Sequence, residues 1–192
     1  MGREFELKYR ADAGVLAAIQ KKFGEFTAIT METAYYDTTD GILNRLHWTL
    51  RRRYENGISV CTLKTPAAGG GRGEWEVQAP DIAAALPLLQ QLDTPEGLRI
   101  FTADCLVLSC GARFTRLAKT LTIPGAVVEL ALDRGVLLGG GQELPFAEME
   151  VELKEGSEEA ATRFAQALAE EFSLEPEHKS KHARAMALAG QK

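Results

Sequence analysis

Acidic and basic side chains stand on alternate positions in several short stretches of this chain. At the N-terminus Glu4, Glu6 and Lys8 alternate with Phe5, Leu7 and Tyr9. In an extended strand successive side chains point to opposite faces, so the charged set shares one face with neighbours about 7 Å apart. The arrangement returns in Glu148-Met149-Glu150-Val151-Glu152, and with opposite sign at Arg51 and Arg53, on the face assigned also to His47 and Thr49. Carboxylates are hard oxygen ligands for a divalent ion, and guanidinium and ammonium groups donate to phosphoryl oxygens. Both arrayed on strands suit a metal-bound polyanion.

Parity extends the pattern. Arg51 and Arg53, Thr62 and Lys64, Glu74 and Glu76, Glu129 and Asp133, and Glu148, Glu150 and Glu152 occupy one parity. Trp48, Leu50, Cys61, Leu63, Trp75, Val77, Leu130, Leu132, Met149 and Val151 occupy the other. The apolar parity requires cover. Amphipathic helices outside a closed sheet provide it and leave the charged parity lining the interior of a barrel. Like charges 4 Å apart repel by about 4 kcal/mol at an effective dielectric near 20, so an interior rich in carboxylates calls for cations. With no histidine or thiolate in the set, Mg²⁺ or Mn²⁺ suits it, as one or two ions. The implied ligand is a polyphosphate.

The elements that must position these groups are legible. Apolar spacing of three and four predicts helices over 12–24, 81–92 and 157–172, the last started by Ser157. Strands are predicted over 2–10, 31–37, 46–54, 58–65, 73–79, 112–123, 126–133 and 145–154, with turns at Glu55-Asn56-Gly57 and Pro124-Gly125. The glycine-rich stretches 67–73 and 139–141 read as hairpin tips, because neither precedes a helix or carries GKS or GKT. No repeat or linker divides the chain, so 1–192 is read as one domain of α+β class: an eight-stranded antiparallel barrel with helices packed outside.

Composition narrows the classes. At 192 residues and 45% hydrophobic, the chain can bury a core of normal size. A net charge of −5 argues against nucleic-acid and anionic-membrane partners. No membrane span or signal peptide is read, so a cytoplasmic location is expected. Cys61, Cys105 and Cys110 form no CxxC pair, which disfavours a zinc cage. Tyr35 and Tyr36 are expected to pack or cap a strand. His47, His178 and His182, with Arg52 and Arg134, are expected at the surface.

The residues resemble the CYTH superfamily, or triphosphate tunnel metalloenzymes, over essentially the whole chain. ExExK stands as Glu4, Glu6 and Lys8. It is followed in family order by Tyr35-Tyr36-Asp37-Thr38, Leu50-Arg51-Arg52-Arg53, Thr62-Leu63-Lys64, Arg72-Gly73-Glu74-Trp75-Glu76, Glu129 through Gly135, Glu148 through Leu153, and Ser180-Lys181-His182-Ala183-Arg184.

The resemblance implies an eight-stranded tunnel holding a triphosphate and divalent metal. It implies Lys8, Arg51, Arg53, Lys64, Arg116, Lys181 and Arg184 as phosphate ligands. It implies Glu4, Glu6, Asp133, Glu148 and Glu150 as metal ligands, with Glu4, Glu6, Lys8 and Lys181 in catalysis. Glu74, Glu76, Glu129 and Glu152 share the face as possible additional tunnel residues, and the choice among Arg113, Arg116 and Lys119 stays open. If 180–184 is helical, Lys181 and Arg184 share one face and close one end of the tunnel. The activity implied is hydrolysis of a triphosphate, foremost inorganic tripolyphosphate as in bacterial members. Alternatives are a class IV adenylate cyclase, a thiamine triphosphatase and a non-catalytic polyphosphate-binding module. A homodimer is expected by family analogy.

Overall fold

The alternating stretches all enter one antiparallel sheet in the computed structural model, which describes residues 5–66 and 72–190. Its strands are β1 (Glu6–Arg10), β2 (Thr27–Thr38), β3 (Thr49–Glu55), β4 (Ile58–Pro66), β5 (Arg72–Gln78), β6 (Leu106–Ile123), β7 (Ala126–Gly139), β8 (Gln142–Gly156) and β9 (Glu175–Pro176). They lie in the order 5-4-3-2-6-7-8-1-9. The helices are α1 (Ala13–Phe23), α2 (Ile42–Arg45), α3 (Ile82–Gln91), α4 (Glu158–Glu171) and α5 (Lys181–Leu188). Glu4 and the glycine-rich tip at 67–71 lie outside the described residues.

The apolar parity is covered as its chemistry requires. Val128, Leu130 and Leu132 of β7 and Met149 and Val151 of β8 are buried with Leu16 and Ile19 of α1 and Ala161, Ala165 and Leu168 of α4. Leu50, Cys61 and Leu63 are buried with Ile82, Leu86 and Leu89 of α3 and Leu43 of α2. Each such large side chain contributes about 1.5–3 kcal/mol on burial, which makes the sheet's outer face the main source of stability. Asp12, Asp81 and Ser157 cap α1, α3 and α4, accepting from Val15, Ala84 and Ala160 N–H. The three predicted helices are thus observed with their ends moved by a residue.

Three differences have physical causes. First, 46–48 is not strand: Asp37 Oδ1 accepts Leu43 N–H (2.8 Å) and Oδ2 accepts Asn44 N–H (3.0 Å), winding 42–45 into α2. His47 has φ 57°. β3 starts only at Thr49, so His47 does not share the face of Arg51.

Second, β6 begins at Leu106, because Leu106–Leu108 pair with Tyr36–Thr38 beyond a register shift between Tyr35 and Tyr36. Ser109 Oγ donates to Tyr35 O there at 3.0 Å, and this bulge re-aims the strand.

Third, no ladder joins β5 to β1 or β9 among the described residues. β9 takes the outer edge of β1, pairing Pro176 with Tyr9 and Glu175 with Arg10. The antiparallel, tunnel-like α+β architecture is as expected, but the sheet has nine strands rather than eight and is not closed by a ladder, its side chains facing a shared cavity. Among the described residues no helix is long and apolar enough to cross a membrane.

Candidate functional site

Most of the charged parity of β1 to β8 lines one cavity of about 780 Å³, though Glu76, Asp133 and Glu148 are not in its lining. Lys8 (β1), Arg51 and Arg53 (β3), Lys64 (β4) and Arg116 (β6) bring cations to its wall, and Glu6, Glu74, Glu129, Glu150 and Glu152 bring carboxylates. These strands place them there because a period of two keeps every second side chain on the concave face.

The cations on β3 and β4 pair with carboxylates of β3 and β5. Glu74 Oε1 lies 3.4 Å from Lys64 Nζ and 3.8 Å from Arg51 Nη2. Arg53 contacts Glu55. The Nε groups of Arg51 and Arg53 are buried without a hydrogen-bond partner. Burial, then the neighbouring charge of Arg51, pulls the Arg53 pKa below its ordinary value. Unspent donors and crowded positive charge together are what an anion relieves.

The opposite arrangement lies around Lys181, the first residue of α5. Asp133, Glu148 and Glu150 are buried, and one oxygen from each falls within 4.8 Å of the others. Lys181 Nζ sits among them, 2.7 Å from Asp133 Oδ2 and 2.9 Å from Glu150 Oε1, and also touching Glu148. Arg116 forks onto Asp133 through Nε and Nη2, both at 2.8 Å, and reaches Glu150. Arg184 binds Glu148.

Burial works against the Lys181 ammonium, yet Glu150, Asp133 and Glu148 raise its pKa above the ordinary lysine range. Burial also works against Glu150, but Lys181 and Arg116 hold its carboxyl well below the usual carboxylate range. Burial pushes Glu148 upward, helped by the nearby charge of Glu150. Three carboxylates face three cations, so the cage is electrically balanced.

The all-oxygen donor set fits a hard divalent cation, since thiolate and imidazole ligands are absent from this group. Glu6 lies apart from it, 3.1 Å from Lys8 Nζ and opposite Glu152 in the ladder. Glu4 falls outside the described residues. Glu129 lies 3.9 Å from both Arg116 Nη1 and Lys154 Nζ. Glu152 lies 2.8 Å from Lys154. Glu76 shares the parity and accepts from Thr62 Oγ1 at 3.4 Å.

Of the basic residues on β6, only Arg116 lines this cavity. Arg113 pairs with Glu143 in solvent, and Lys119 Nζ donates to Phe23 O at 2.6 Å.

Two residues expected to be structural or superficial are in the site. Tyr35 is buried and lines the cavity, its ring centroid 4.8 Å from that of His182, which also lines it. Burial raises the Tyr35 pKa. The bulge at Tyr35/Tyr36 has no periodic signature in sequence, and His182 points inward only because α5 does. Ala185 and Met186 of that helix are buried with Met31, Tyr35 and Phe114, on the concave side.

Close approach of α5 depends on Gly139. A Cβ at that position would lie 2.2 Å from Ala185 O and 2.9 Å from Ala189 N. Gly139→Ala therefore costs about 1–3 kcal/mol in chemical denaturation and displaces Lys181. An unchanged unfolding midpoint contradicts this packing.

The CYTH domain family profile matches residues 2–186. The inorganic triphosphatase of Haemophilus influenzae is 26% identical over 175 residues, covering 88% of this chain and 50% of that protein. The chain therefore spans about half the length of this curated relative. A protein from Hippeastrum, described as a candidate adenylyl cyclase with a dominant triphosphatase activity, matches in structure with a TM-score of 0.74 at 18% identity, covering 100% of this chain and 97% of that one. A candidate adenylate cyclase from Bacillus halodurans gives a TM-score of 0.63 at 21% identity, covering 94% and 96%. At such identities these structures speak for the fold.

Proposed function

The chain belongs to the CYTH domain family, and from that premise we propose that it is a metal-dependent triphosphatase acting on inorganic tripolyphosphate, releasing diphosphate and phosphate. The observation that carries the reading is a cavity whose basic wall has unspent donors and which reaches, through Glu150 and Lys181, a buried carboxylate cage.

Among the described residues, seven cations and six carboxylates line the cavity, so it is nearly neutral before a ligand enters. A tripolyphosphate carries several negative charges, and its entry is favourable only with added cations. Asp133, Glu148 and Glu150 would hold a divalent ion, with Glu6 of β1 available to a second. Mg²⁺ or Mn²⁺ bound there neutralises phosphoryl oxygens and acidifies water. Because the cage is already balanced, its occupation requires Lys181 to withdraw its ammonium and offer it to the substrate.

Lys8, Arg51, Arg53, Lys64 and Arg116 then bind oxygens along the wall, while Lys181 and Arg184 bind the terminal phosphoryl group. Glu6 orients the attacking water. Attack on the terminal phosphorus breaks its bond to the bridging oxygen, and the cationic wall stabilises the charge that collects on the leaving diphosphate.

A nucleotide substrate is the second reading. A side cavity of about 580 Å³, bordered by Phe26, Thr27 and Lys119, shares Ile29 and Glu129 with the main one and could seat an organic group. Phosphate release from tripolyphosphate, ATP and thiamine triphosphate, each with Mg²⁺ or Mn²⁺ and beside a cyclic AMP assay, separates the readings. The expected result is fastest release from tripolyphosphate and none without metal. Cyclic AMP formation with tripolyphosphate untouched makes the protein a cyclase. Binding without turnover of any of the three makes it a receptor.

A further inference from the structure

Glu177 is a buried carboxylate in the connection between β9 and α5, and the mechanism above does not use it. Its backbone N–H donates to Lys8 O at 2.8 Å, tying it to the strand that carries Lys8. Its side chain collects the surrounding donors. Oε2 accepts Arg10 Nε at 2.8 Å and lies 3.8 Å from Arg184 Nη1, and Oε1 accepts Lys179 N–H at 2.9 Å. Arg184 is thereby held between two acids, Glu177 on the connection and Glu148 in the cage. Ser180 follows at once as the cap of α5, accepting Ala183 N–H, and Lys181 is the next residue.

A buried carboxylate is costly unless it is paired and hydrogen-bonded. This one meets that cost with contacts that join β1, through Arg10 and the Lys8 carbonyl, to the start of α5, through the Lys179 amide and Arg184. A surface connection needing only to reach the helix would have no use for a charge there.

We propose that Glu177 is a positioning residue: through Arg10, Arg184 and the Lys179 amide it fixes the entry of α5, and so sets where the Lys181 ammonium stands at the end of the cavity. The inference rests on the triphosphatase reading only for its kinetic consequence. The anchoring itself is independent of substrate.

The test uses the full chain, with Glu177→Gln alone and combined with Lys181→Ala. Hydrogen exchange of the α5 amides is read beside kcat and KM for tripolyphosphate. Glu177→Gln is expected to speed α5 exchange about tenfold or more and to lower kcat about 10- to 100-fold, with KM changing less. On the Lys181→Ala background it should lower kcat by a clearly smaller factor than in the parent, since Lys181 is gone and only Arg184 is left to be displaced. Arg10→Gln, at an exposed side chain on the β1 side of the same anchor, should act in the same direction if Glu177→Gln folds poorly.

Equal loss of kcat on both backgrounds, or α5 exchange unchanged in both anchor variants, overturns the proposal. Faster α5 exchange in a protein that hydrolyses none of the triphosphates supports the anchor and removes the activity reading instead.

Discussion

Lys181→Ala is expected to lower tripolyphosphate turnover by about 10²- to 10³-fold, the range for losing one donor aimed at developing charge. It should also cost stability without metal, because Asp133 and Glu148, fully buried, and Glu150 keep their charges with one cation fewer. Breaking a buried pair from one side costs about 3–5 kcal/mol. The same deletion opens the cage, so Mn²⁺ should raise the thermal midpoint of the variant more than that of the unsubstituted protein. The folded pKa of Lys181 is raised, so its contribution is complete below the unfolded lysine value of about 10.4 and is lost only as pH rises through the folded value. The titration of Lys181 itself therefore contributes no pH dependence to the stability gap between about pH 6 and 9. A smaller Mn²⁺ effect in the variant, with unchanged turnover, removes Lys181 from the site.

Arg116→Met should be the most destabilising single change on the sheet, by about 3–5 kcal/mol at pH 7, because it strips the fork from fully buried Asp133 and one cation from Glu150. The pH dependence has a definite sign. Glu150 is held below its ordinary range in the folded protein, so the stabilisation it draws from Lys181 and Arg116 is present above the unfolded value of about 4.3 and lost as pH falls below it. Urea unfolding at pH 7 and pH 3 should show the difference between Arg116→Met and the parent shrinking at the lower pH. A gap that is absent at pH 7, or that widens in acid, contradicts the ion-pair account.

Strand parity made most of the site legible in advance. It sets Glu6, Lys8, Arg51, Arg53, Lys64 and Glu150 on one face, and these line the cavity whatever the details of the turns. Parity within β6 could not be read because Arg113, Arg116 and Lys119 are three apart and alternate between faces; only the register with β7, where Arg116 opposes Asp133, decides it. His47 was misassigned because Asp37 winds the preceding residues into a helix through side-chain acceptors that strand patterning ignores. His182, expected at the surface, and Glu177, to which no role was given, lie on or beside α5. That helix is short and its inward face is set by the close approach at Gly139, a tertiary fact. Glu177 sits in a connection, where a carboxylate has no periodicity to betray it.

The concave face is expected to bind a phosphoryl chain together with a divalent cation. A crystal structure of the protein with tripolyphosphate and Mn²⁺, the metal located by its anomalous signal, tests it most directly. The expected density shows phosphoryl oxygens against Lys8, Arg51, Arg53 and Lys64, Mn²⁺ on carboxylates of the cage, and Lys181 withdrawn from between Asp133, Glu148 and Glu150. Tripolyphosphate bound on the outer face of the sheet, or Mn²⁺ bound away from every cavity carboxylate, would contradict it.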